Sequence, residues 1–185
     1  MLAKSIIGVN ARTGGLLWSY PYEQRNDIHA NTPLYHQGFI YCSTTSPGFA
    51  VQLKLSPDGH SVESAWQNTE LQNLMGGAIL RDNLIYTSGY RKGGWYVLDW
   101  TTGKILHNSS PFKEGAIIYA DGYFYCYGED GQFSLVQADS QGYQLKSSFM
   151  ITEGSGQHWA HPVISNGRLY IRHGNVLLVY DISKK

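Results

Sequence analysis

The sequence predicts an all-β protein, a run of four-stranded antiparallel β-propeller blades, and three observations predict it. A marked unit recurs along the chain every 39 to 45 residues. Each copy holds strand-like aromatic runs divided by polar or glycine turns. The composition, 21 glycines and 14 tyrosines in 185 residues, suits short strands and tight turns. A period of this size with several strands per repeat is that of a propeller blade.

Three markers keep phase. The first is a turn followed by a strand: Gly38-Phe39-Ile40-Tyr41, then Asn83-Leu84-Ile85-Tyr86, Gly122-Tyr123-Phe124-Tyr125 and Gly167-Arg168-Leu169-Tyr170. Their tyrosines are 45, 39 and 45 residues apart. The second is a strand end leading into a turn glycine at 14, 59, 103 and 142. The third precedes each tyrosine strand: Pro33-Leu34-Tyr35, Ala78-Ile79-Leu80, Ile117-Ile118-Tyr119 and Pro162-Val163-Ile164. Short apolar runs resembling one another by chance would not hold a shared phase.

Each repeat divides into strands a to d. In the second full copy these are residues 77–80, 84–87, 95–100 and 105–108. Blades then fall at about 28–67, 75–109 and 114–150, with partial blades at 1–20 and 158–185. The partial blades supply two c strands, 6–10 and 176–182, for one slot. That competition argues against a closed four-bladed ring. It favours about half of a seven- or eight-bladed ring, with unpaired edges that invite a second copy or the missing half. One stretch reads differently: Val62, Ala65, Trp66, Leu71, Leu74 and Met75 lie near helical spacing. The repeat phase assigns it to strand d and a loop.

Charge narrows the function classes. Fourteen basic residues balance fourteen acidic ones, and no run of like charge occurs. A nucleic-acid or membrane-surface binder needs an electropositive face. No stretch approaches the ~18 apolar residues that a membrane-spanning helix requires. Residues 1–5 lack the apolar core of a secretion signal. Cys42 and Cys126 have no metal-ligand spacing and read as small buried strand residues rather than a disulfide.

The turn into strand d carries a more specific pattern. Asp99-Trp100-Thr101-Thr102-Gly103-Lys104-Ile105-Leu106-His107 resembles an Asp-x-x-Thr-Gly-Lys-x-x-Trp signature, with His107 in the Trp place. Asn10-Ala11-Arg12-Thr13-Gly14-Gly15-Leu16-Leu17-Trp18 keeps the Trp and replaces the Asp and Lys. Trp66 and Phe149 stand at the corresponding place in longer hairpins. The chain is thereby similar, over its whole length, to the pyrroloquinoline-quinone (PQQ) repeat propellers. In that resemblance Thr102 and Gly103 shape the turn, and Asp99 and Gly103 stand among the structural blade-docking residues. Trp18, Trp66, His107 and Phe149 dock one blade on the next, each aromatic burying ~150–250 Å².

The family includes quinoprotein alcohol dehydrogenases, which hold the quinone and Ca²⁺ in a central funnel under a vicinal Cys–Cys ring. It also includes non-catalytic members such as the lipoprotein type of the outer-membrane barrel-assembly machinery. This chain has no adjacent cysteines. The resemblance therefore implies a non-enzymatic binding or assembly scaffold, periplasmic or extracellular, with no cofactor, no catalytic residue and no metal site. The alternatives are a PQQ-dependent dehydrogenase, with quinone and Ca²⁺ supplied elsewhere, and a small-molecule- or sugar-binding propeller.

Loops from strand d to strand a open at the mouth of such a ring, where ligands bind. Counting back from the aligned tyrosines gives His29, Leu74, Lys113 and His158 as one ring of positions. Ala30, Met75, Glu114 and Trp159 form the next, and Thr32, Gly77, Ala116 and His161 the third. The candidate ligand-binding residues are His29, Lys113, Glu114, Gln157, His158, Trp159 and His161. Zinc would need a third ligand beside His158 and His161. Acid–base work would need a nucleophile, and none is evident. A binding surface and plain structural histidines are the readings that remain. Gly154-Ser155-Gly156 reads as a flexible loop and Arg172-His173-Gly174 as a turn past strand b. Asn108-Ser109-Ser110 fits a glycosylation sequon.

Overall fold

The computed structural model describes residues 1–22, 28–44, 48–90 and 94–183. Strands and irregular segments account for all of them, with no helix. The chain divides into two compact units: Met1–Leu74 with Thr101–Lys104, and Met75–Trp100 with Ile105–Lys185.

In the first unit β1 (Ser5–Val9) and β2 (Leu16–Pro21) make a two-stranded sheet. There β3 (Leu34–His36), β4 (Phe39–Thr44), β5 (Phe49–Leu55) and β6 (Val62–Asn68) make a four-stranded one. The second unit holds β7 (Ala78–Arg81), β8 (Leu84–Ser88), β9 (Trp95–Asp99) and β10 (Ile105–Ser109) as one sheet. It continues with β11 (Gly115–Ala120), β12 (Tyr123–Gly128), β13 (Gln132–Asp139) and β14 (Gly142–Met150). The last sheet is three-stranded: β15 (Val163–Ser165), β16 (Arg168–His173) and β17 (Val176–Asp181). Neighbours in each sheet are consecutive and antiparallel. The stretch with helical spacing is β6 followed by an irregular loop.

Turn chemistry explains the local order. The a–b hairpins turn at Gln37-Gly38, Asp82-Asn83, Asp121-Gly122 and Asn166-Gly167, with φ between 47° and 84° at both positions of each pair. Two successive positive φ values make a type I′ turn, whose twist matches the flanking strands. The c–d turns open on an Asx or Asp cap. Asn10 Oδ1 accepts from the backbone N–H of Arg12 and Thr13 at 2.9 and 3.0 Å. Asp58, Asp139 and Asp181 accept from His60, Gln141 and Ser183 in the same way. Asn10 thus does the work of the signature Asp.

Strand d carries a bulge in each full pairing. The register skips Leu17, Ala65, Leu106 and Lys146. Trp18, Trp66 and His107 then face Gly8, Gln52 and Val97 on strand c. In β14 the residue at that register, opposite Leu135, is Ser147. Phe149 lies two pairs further along, opposite Phe133. The corresponding place assigned to Phe149 from the sequence is therefore held by a serine, because the residue that follows the bulge here, as Trp18, Trp66 and His107 follow theirs, is Ser147.

Among the described residues, apolar faces close cores within each unit. In the first unit Ile6, Tyr22, Cys42, Phe49, Val51 and Leu53 are buried together, with Trp18 and Tyr20 against them. In the second, Tyr86, Trp95, Val97, Phe124 and Tyr143 form one cluster, and Tyr127, Phe133, Ile151, Leu169 and Ile171 another. Trp66 lies over Gly103, whose absent Cβ would sit 2.3 Å from the indole. The His107 ring covers Gly142 at the same distance. The glycine of the signature thus has two physical reasons: positive φ and an aromatic ring laid on its α-carbon.

Candidate functional site

The loop from β14 to β15 holds four of the candidate residues, and the second unit fixes it at several points. The His158 ring stacks on His173 with centroids 3.7 Å apart and planes 22° apart. Its Nδ1 lies 2.5 Å from the Tyr127 hydroxyl, and Tyr127 also meets it edge-on at 5.4 Å. Gly131 sits beneath it, with room for no Cβ. Burial pushes the His158 pKa below the usual histidine value. His173 adds to that shift, and Asp130 opposes it.

His173, at the end of β16, is buried and faces the same loop. Its Nδ1 is 2.7 Å from the Glu153 carbonyl and its Nε2 3.0 Å from that of Gly156. Carbonyl oxygens only accept, so both contacts are hydrogen bonds when both ring nitrogens carry protons. His161 Nε2 is 3.0 Å from the Met75 carbonyl, and its ring closes over Gly77. His173 and His161 therefore hold backbone and His158 holds side chains, while Gln157 and Trp159 face solvent. Gln157 is exposed, and Trp159 is 49% exposed.

Lys113 and Glu114 lie just before β11. Their side chains pair at 2.9 Å, with Lys113 47% and Glu114 6% exposed. The hydrogen bond to Glu114 raises the Lys113 pKa, and Glu129 and Asp130 add to it. Burial raises the Glu129 pKa, with the Glu114 charge as a further cause. His29 belongs to the first unit, where Tyr22 donates its hydroxyl to the Leu2 carbonyl and lies 3.2 Å from His29 Nδ1. The second unit thus unites Lys113 with Glu114 and places His158 beside Asp130.

Sequence reasoning missed His173, Tyr127 and Ser147. His173 was read with Arg172 and Gly174 as a turn past strand b, and the structure puts Arg172 and His173 inside β16. The repeat held a signal. Three residues past each aligned tyrosine stand Thr44, Gly89, Gly128 and then His173. A histidine where the other copies carry small residues marks a side chain with its own task. Thr44 does a smaller version of it, donating to the Ile28 carbonyl at 3.2 Å.

Among the described residues no group of three or more His, Cys, Asp and Glu side chains is arranged to hold a metal, whereas Ca²⁺ takes 6–8 oxygens. Cys42 and Cys126 are both free and buried. Burial pushes the Cys42 thiol up to about 12 and raises that of Cys126 well above its ordinary value, so neither is a nucleophile near neutral pH. Among the described residues no helix is long and apolar enough to cross a membrane.

No family model matches the chain. No curated protein matches it in sequence. Among solved structures it is similar to BamB from Moraxella catarrhalis, with a TM-score of 0.71 and 14% identity over 98% of this chain and 59% of that one. The fold is a partial β-propeller. The computationally designed Ika8 protein is similar in the same sense, with a TM-score of 0.67, 13% identity, and 98% and 54% of the two chains covered. The propeller segment described here thus spans less than two thirds of either relative. At such identities the likeness is one of fold alone.

Proposed function

We propose that this chain is part of a PQQ-like repeat propeller that serves as a non-enzymatic binding or assembly scaffold, periplasmic or extracellular, and meets a protein partner through the loop bearing Trp159. One observation carries the reading. Trp159 is half exposed on a loop tied at Glu153, Gly156, His158 and His161. A large aromatic held out on a fixed backbone loses little freedom when a partner covers it, and tryptophan is enriched among residues that dominate interfaces.

Two experiments test this. The full-length protein is mixed with PQQ and Ca²⁺ while quinone absorbance and melting temperature are followed. No saturable shift at millimolar ligand is the expected result. A saturable rise in melting temperature, followed by dye reduction with an alcohol, would overturn the scaffold reading. In the second, a photo-crosslinking residue replaces exposed Gln157, on the same loop as Trp159, in the producing cell. A discrete protein adduct is expected there and not from the same residue at exposed Leu106.

A further inference from the structure

A slot in the second unit lies apart from the Trp159 loop. It is lined by Tyr125, Phe133, Leu135, Ser147, Phe149 and Leu169, with Ile182 at its end, and encloses about 250 Å³. The repeat explains why it is there. The preceding blade puts Tyr86, Trp95, Val97, His107 and Ser109 at the matching strand registers, and Phe124 of β12 holds the place that Leu169 holds on β16. There the place of Ser147 is taken by His107, whose ring lies on Gly142. One blade earlier Trp66 fills it, lying on Gly103 and 6.0 Å from Tyr41. Ser147 removes the ring and leaves the walls standing.

We infer that the slot beside Ser147 is a binding site for a planar aromatic group of indole size, which takes the position that Trp66 and His107 occupy in their own blades. Size, surface and access agree. An apolar cavity of ~150 Å³ already takes benzene, and an indole buries ~150–250 Å². The slot is continuous with the packed core of Tyr127, Phe133, Ile151, Leu169 and Ile171, against which Tyr125 and Ile182 also lie. Its entrance is on the exposed side, where Phe149 is 41% accessible. Phe149 stands 5.4 Å from Phe133 and meets Tyr180 edge-on at 5.1 Å. An incoming ring would therefore meet an aromatic wall already held in place. The Ser147 hydroxyl offers a hydrogen-bond partner to an indole N–H.

Indole itself is the probe, titrated into the protein and followed by ligand-observed NMR and by melting temperature. Wild type should bind it saturably. Ser147→Trp should supply the ring from the chain, weaken indole binding at least tenfold and raise the melting temperature. Ser147→Asp, an exposed change that leaves the volume open, should also weaken binding by placing a carboxylate in the slot, and it keeps the test valid if the tryptophan does not fit. Absence of saturable binding in wild type would mean that the chain's own residues close the slot, and would overturn the proposal. Equal binding by wild type and Ser147→Asp would place indole elsewhere and overturn it too.

Discussion

At Gly103 a single hydrogen atom decides whether a tryptophan can lie flat. Its φ is +68°, and the nearest Trp66 atom lies 2.3 Å from where a Cβ would be. Gly14 has nearly the same φ, +72°, and open space around it. Ala at Gly14 should therefore cost only the strain of the left-handed region, ~1–2 kcal/mol. Ala at Gly103 should cost more, because the ring must move as well. Urea midpoints at unchanged m compare them directly, and equal losses would show that the Trp66 contact is not what requires glycine. Truncating the buried ring, Trp66→Ala, should cost ~3–5 kcal/mol. Trp159→Ala should change stability by less than ~0.5 kcal/mol, since the ring is half exposed, while removing the adduct seen from that loop.

The loop from β14 to β15 shows how an element can depend on one proton. His158 sits between Tyr127 and His173, with Asp130 nearby and Glu153 on its own loop. Its pKa is lowered, chiefly by burial and then by His173. The folded protein therefore binds fewer protons here than the unfolded chain, below the ordinary value of ~6.5. The stabilisation is fully present above ~6.5 and is lost as pH falls from there through the folded pKa. Amide exchange in residues 152–161, corrected for intrinsic rates, should rise across that window relative to β13. His158→Phe keeps a ring in the stack and should flatten the response. A response that survives the substitution would assign the effect to another group.

On the scale of the molecule, the strand edges matter most. Among the described residues, β1 pairs only with β2 and β17 only with β16. Leu177 and Val179 are exposed on β17. Open edges with apolar side chains favour strand-to-strand association. The 185-residue chain should sediment with increasing mass as concentration rises, and Lys at positions 177 and 179 should reduce that increase. A monomer of unchanged mass at every concentration would show that the edges are protected.

The sequence by itself determined the strand content, the blade period, the polar a–b turns and the glycines of the c–d turns. These are local choices, set by alternation and by which residues tolerate positive φ, and they repeat in phase from Gly38 to Gly167. It also located the loop of His158, Trp159 and His161. Only the tertiary structure decided what those residues touch. His173 and Tyr127 reach His158 from β16 and β12, 15 and 31 residues away in the sequence, and no periodicity encodes that meeting. Strand pairing sets the bulge of β14 at Lys146, so Ser147 and not Phe149 follows it, at the register where Trp18, Trp66 and His107 stand in the other pairings. Composition and period are summed along the chain, so the sequence carries them. A stacked pair of rings or an empty slot exists only where distant strands converge, and packing alone fixes it.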